Sequence, residues 1–144
     1  MRYGVLALMA SLVACLPGCL PQPVSECSND SQCGDDVCAR TGECVARANV
    51  REVTVKWTVN GSAADATSCA APDLYLQFEG SEYGDTLRFA PVPCRAGSYT
   101  IDKLPKRYVQ VELGVAGGPG DVSPIDATTG RAHLDLLPCP RART

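Results

Sequence analysis

Four cysteines stand in 18 residues at Cys27-x5-Cys33-x4-Cys38-x5-Cys44, and their surroundings constrain the chain more than any other feature. The residues among them are mostly Ser, Asn, Asp, Gln, Gly and Thr, with Val37 and Val45 almost the only aliphatic side chains larger than alanine. A segment this polar buries too little apolar surface to offset its chain entropy, so cross-links have to hold it. Three pairs of disulfides are open to it, of which Cys27–Cys38 with Cys33–Cys44 is the expected one. The competing reading is a zinc site of four thiolates, but only Cys33-x4-Cys38 has the short spacing that structural zinc uses. Asn29, Asp30, Asp35 and Asp36 lack the alternating ligands and distal Glu of a calcium loop, and read as turn residues.

The chain has nine cysteines in 144 residues, and the odd number leads back to its start. One positive charge at Arg2 precedes an uncharged run from Val5 to Leu16. That is about a dozen residues, against roughly 20 for a bilayer-spanning helix, so it reads as the apolar part of a leader peptide. Leu12-Val13-Ala14-Cys15 at its end resembles the lipobox of bacterial lipoproteins. The resemblance implies cleavage before Cys15, lipid on its thiol and acylation of the new amino terminus. Leu16-Pro17-Gly18-Cys19 is the alternative, disfavoured because Pro17 bends the chain where a peptidase needs it extended. An ordinary secretory leader that happens to contain cysteine also stays open. Cleavage before Cys15 leaves eight cysteines, which can all pair in an oxidising compartment.

The expected organisation is a leader over 1–14, an anchor and Pro-rich spacer over 15–26, the cystine module over 27–46, a β-domain over 50–138 and a tail over 139–144. Val53, Val55, Trp57 and Val59 alternate with Thr54, Lys56 and Thr58, and Asn60-Gly61 closes the run as a turn. The pattern returns at Leu74 to Phe78, Leu87 to Phe89, Tyr99 to Ile101, Val109 to Val115 and Ala132 to Leu136. Turn clusters separate these runs, the last two being Gly117 to Asp121 and Pro124 to Gly130. About seven short strands predict an all-β, antiparallel sandwich, with Trp57 near its centre. Cys69 and Cys94 flank the strands around Leu76 and Leu87, so a hairpin would bring them together. Cys19 and Cys139 are left, either as a pair tying the two ends or as unpaired or intermolecular thiols.

Two further resemblances come from these residues. The module at 27–45 is similar to Cys-rich repeats of myxobacterial surface lipoproteins, and distantly to Dickkopf-type modules. Gly97-Ser98-Tyr99-Thr100-Ile101-Asp102-Lys103-Leu104-Pro105, followed by Tyr108 to Leu113, resembles the strand–Leu-Pro–strand core of carboxypeptidase-regulatory-like and transthyretin-like sandwiches. Those families carry Pro-Gly before the second strand where this chain has Pro105-Lys106-Arg107.

A net charge of −3 without a basic block supplies no electrostatic footprint for nucleic acid. The chain has one histidine, His133, which excludes any mechanism needing two imidazoles; its alternation with Ala132 and Leu134 points it to solvent. No catalytic motif is present, and neither a metal nor an organic cofactor is expected. Glu79, Glu82, Asp85 and Asp73 read as polar turn residues in preference to calcium ligands. Tyr75, Tyr83, Tyr99 and Tyr108 with Trp57 raise the alternative of a carbohydrate platform, set against packing roles. The expected function is that of a membrane-anchored lipoprotein of the bacterial envelope, sited at the outer membrane, with a structural or interaction role. Its partners are the membrane, through the lipid, and an envelope protein or polysaccharide. A carbohydrate-binding module and a small Cys-rich inhibitor-like protein are the alternatives.

Overall fold

The structure, a computed structural model, describes residues 26–69, 73–118 and 120–137. Cys15, Cys19 and Cys139 lie outside them, as do the leader and tail. Strand β3 (Val50–Val59) organises the rest. Its β-branched residues favour extended backbone, and Val53, Val55, Trp57 and Val59 fall on one face and are buried. Asn60 and Gly61 follow at φ 52° and 73°, both left-handed, the turn that lets two strands reverse in two residues. Short β4 (Ser62–Ala63) then pairs back on β3, Val59 opposite Ser62.

Six more strands complete two packed sheets. They are β5 (Leu74–Gly80), β6 (Thr86–Val92), β7 (Ser98–Pro105), β8 (Tyr108–Val115), β9 (Gly120–Pro124) and β10 (Arg131–Leu136). One sheet places β3 between β7 and β10; the other runs β6-β5-β8-β9, antiparallel throughout. The architecture is all-β, as the alternation predicts, with one departure. Strand β10 pairs with β3 in parallel, from Arg131 opposite Thr54 to Leu136 opposite Val59. A parallel pair needs a long crossover, and the entire second sheet lies between β3 and β10 in sequence. The entry to β10 is tight: Asp126 accepts hydrogen bonds from the N–H groups of Thr128 (3.0 Å) and Thr129 (2.6 Å). Gly130, at φ 65°, approaches the Glu52 carbonyl so closely that a Cβ would collide with it.

Phe78, Leu76, Leu104, Leu113 and Tyr108 are fully buried between the sheets. Tyr108 takes the place expected for Val109, which is 46% exposed. The cause is a register shift where Glu79 opposes Gln110 but Gly80 opposes Tyr108, leaving Val109 unmatched. Half-buried Phe89 closes the gap between β6 and β7, its ring 5.9 Å from Phe78 and 5.4 Å from Tyr99. On the far side the Asp121 carboxylate accepts the Asp135 N–H (2.9 Å), joining β9 to β10. Strand β9 falls within residues that read as turn; glycine and proline are tolerated there because it is an edge.

The cystine segment forms a small unit with its own hairpin, β1 (Val37–Cys38) against β2 (Cys44–Val45). Disulfides join Cys27 to Cys38 and Cys33 to Cys44. Val37, Ala39, Cys27 and Cys38 are buried but stand apart from the sandwich core. Charge binds the two units. Lys103 reaches Asp30 (2.7 Å), Arg107 reaches Glu43 (2.8 Å) and Arg40 Nε donates to Asp102 (2.7 Å). Lys103 sits at φ 50°, a conformation non-glycine residues rarely adopt, and its carbonyl accepts the Arg40 N–H (3.2 Å).

A third disulfide joins Cys69 to Cys94 across the open end of the β5–β6 hairpin, and both cysteines belong to the core. The indole N–H of Trp57, the only tryptophan, donates to the Cys94 carbonyl (2.8 Å). Closing this 25-residue separation contributes roughly 3 kcal/mol by loop-closure entropy. Replacing both cysteines by serine is therefore expected to lower unfolding stability by about that amount. Native-state fluorescence should move to longer wavelength as Trp57 loses its fixed partner. A variant with unchanged denaturation midpoint and emission would refute the coupling.

Candidate binding face

The outward positions of β3 and its neighbours form one grid. Thr54, Lys56 and Thr58 alternate with the core residues of β3, and parallel pairing sets Arg131, His133 and Asp135 beside them in turn. On the other flank Thr100 and Ser98 of β7 oppose Thr54 and Lys56. A depression of about 710 Å³ lies over this grid. Ala63, Ala64, Ala96 and Gly97 wall one side and Ser123 and Pro124 the other. Its lining carries two cationic side chains, Lys56 and Arg131, with the imidazole of His133, and no carboxylate.

Hydrogen bonds settle what the grid can do chemically. Thr54 and Thr100 hydroxyls share one at 3.2 Å, and the Thr58 hydroxyl donates to Asp135 at 2.7 Å. Asp135 also accepts the Gly61 N–H (2.8 Å). That backbone bond and the Thr58 hydroxyl hold the Asp135 pKa below its usual value. A carboxylate stabilised as the anion is a poor proton acceptor, so the contact fixes Thr58 and does not activate it. Nδ1 of His133 lies 3.1 Å from the Leu134 carbonyl oxygen. Lys56 and Arg131 form no ion pair among the described residues.

The opposite sheet has an outward face of another kind. Tyr75 donates its hydroxyl to Glu112 (2.7 Å), while the Arg88 guanidinium lies 3.8 Å from its ring centre. The hydrogen bond to Glu112, with burial, raises the Tyr75 pKa. Gly114 makes room for the ring, because a Cβ there would stand 2.7 Å from the Tyr75 hydroxyl oxygen. Charged and aromatic groups on this face satisfy one another.

These positions bear on two sequence readings. The five aromatics do not form a platform: Trp57, Tyr75 and Tyr108 are buried and Tyr99 packs on Phe89. Tyr83 alone is fully exposed, at the tip of the β5–β6 hairpin. Two members of the acidic group around that hairpin are committed elsewhere. Asp85 accepts hydrogen bonds from Arg107 (2.6 Å) and Tyr108 (2.7 Å), and Glu79 accepts one from Gln110. Asp30 accepts hydrogen bonds from Lys103 and from the Cys38 N–H. Among the described residues the one group spaced for a metal is Cys27, Cys33 and Cys38, whose sulfurs are spent in disulfides. Sequence reading put His133 and the threonines of β3 in solvent but did not gather them, because nothing in the alternation reveals which strands are neighbours.

Compared with protein-family models, with curated proteins and with solved structures, the chain matches none.

The Asp85 cluster makes stability depend on pH. Burial works against the charge on Asp85, but hydrogen bonds from Tyr108 and Arg107 outweigh it and lower the pKa. Burial and the bond to Asp85 push Tyr108 up to about 12. A phenol with a raised pKa contributes stability that is complete below about pH 10 and is lost as pH rises through the folded value. The unfolding midpoint is thus expected to fall between about pH 10 and 12. Tyr108→Phe should shrink that alkaline loss, leaving the part due to Tyr75. An identical pH profile in the variant would show that Tyr108 does not carry it.

Proposed function

We propose that the chain is a lipid-anchored binding protein of the bacterial cell envelope, with an interaction role and no catalysis. Leu12-Val13-Ala14-Cys15 at the end of a short apolar run carries this reading. Cleavage before Cys15 makes its thiol the lipid attachment point, with Cys19 the alternative. Several acyl chains, each CH₂ adding about 0.8 kcal/mol of burial, hold a protein at a bilayer where one chain does not. Three disulfides suit an oxidising compartment outside the cytoplasm. The resemblances to Cys-rich surface lipoproteins and to regulatory-like sandwiches agree with a module that presents a surface to a partner. The walled grid on β3, β7 and β10 is that surface.

In a bacterial host that processes lipoproteins, the full chain should incorporate labelled palmitate, and Cys15→Ser should abolish the label while Cys19→Ser retains it. Label lost only in Cys19→Ser would move the anchor to Cys19. An unlabelled parent chain would overturn the anchoring altogether.

A further inference from the structure

We infer that the depression over β3, β7 and β10 binds an acidic glycan, one whose sugars carry carboxylates. The inference deepens the proposed binding role and rests on the same face. Register places His133 directly beside Lys56, one interstrand spacing or about 4.8 Å away, and Arg131 two residues further along β10, about 6.6 Å from His133 and diagonal to Lys56. The charges of Lys56 and Arg131, at diagonal positions on adjacent strands, repel one another less when an anion sits between them. The lining supplies no carboxylate, and Asp135, just outside it, is bound by Thr58 and Gly61. This concentration of positive groups occurs on a chain whose net charge is −3, so it is a local feature and not a general surface property.

The surrounding chemistry narrows the ligand. Arg131 has the planar fork that receives a carboxylate through two parallel hydrogen bonds. The hydroxyls of Thr54, Ser98 and Ser123 in the lining can both donate and accept, matching sugar hydroxyls. Ala63, Ala64, Ala96 and Pro124 give flat apolar walls on which the C–H faces of sugar rings can rest. Without an exposed aromatic to stack on, a neutral sugar gains little, and the carboxylate becomes the main source of affinity. An acidic peptide fits less well. β3 is paired on both sides, so the floor of the site offers no free main-chain row for strand addition.

The test uses the purified full chain and polygalacturonate, with its methyl-esterified form as a polymer of the same backbone and little charge. Calorimetric titration should show binding to the acid polymer, weakened about tenfold by esterification and again by a rise in salt from 50 to 300 mM, as ion pairing requires. Lys56→Gln and Arg131→Gln should each weaken it by about tenfold, while Lys106→Gln, on the exposed β7–β8 turn, should leave it unchanged. Circular dichroism establishes that each variant is folded, since these positions point away from the core. No binding to polygalacturonate, equal binding to the esterified polymer, or unchanged binding in both Lys56→Gln and Arg131→Gln would overturn the inference. Equal affinity for duplex DNA would do so too, by reducing the effect to general attraction between charges. Palmitate labelling reads the anchor independently of these outcomes.

Discussion

The strict alternation of β3 is the constraint from which the rest of the molecule descends. One strand can have a wholly apolar side and a wholly polar side only if one faces a core and the other faces water. Val53, Val55 and Trp57 therefore require a second sheet above them, and β5 and β8 provide it with Leu76, Phe78, Val111 and Leu113. The same two-residue period compels Thr54, Lys56 and Thr58 onto a common outer surface. Core and outer grid are two sides of one pattern, and a one-residue slip would exchange them. Trp57 guards against that slip, since its indole bond to the Cys94 carbonyl ties β3 to the disulfide-closed hairpin of the other sheet.

The cystine unit and the sandwich meet on different physical terms. Each keeps its apolar residues to itself, and the junction between them consists of ion pairs and backbone hydrogen bonds. Pairs this exposed each contribute at most about 1 kcal/mol and weaken in salt. Arg107 is the exception in kind, because it holds Glu43 of the cystine unit and Asp85 of the β5–β6 hairpin at once. Lys103 adds its left-handed backbone, which turns its carbonyl toward Arg40 while its ammonium takes Asp30.

Sequence patterning reveals the strands whose side chains alternate and conceals those held by their neighbours. Runs such as Val53–Val59 and Ala132–Leu136 declare themselves because burial on one face demands it. Gly120–Pro124 does not, since an edge strand needs few apolar residues and is specified by its partner β8. Tyr108 and Val109 exchange places for a similar reason: a bulge is a property of two strands, and a single run contains no trace of it. The parallel direction of β10 is likewise decided by long-range connection. That direction also gathers His133 and Arg131 beside Lys56, so the candidate site was legible as residues facing water but not as a site.

Parallel pairing of β3 and β10 has a directional result. Strand β3 starts at the end where the cystine unit docks, since Val50 opposes Pro105 and Arg40 lies against Lys103, and β10 joins it from Thr54 onward in the same direction. They finish together at the opposite pole, where Leu136 stands beside Val59. Ten residues of strand span about 33 Å. Under the proposed anchoring the cystine unit is the foot of the molecule, and the sandwich rises from it as a mast of that height. The grid around Lys56 and His133 then rides in the upper half of that span, on the flank of the mast and away from its foot.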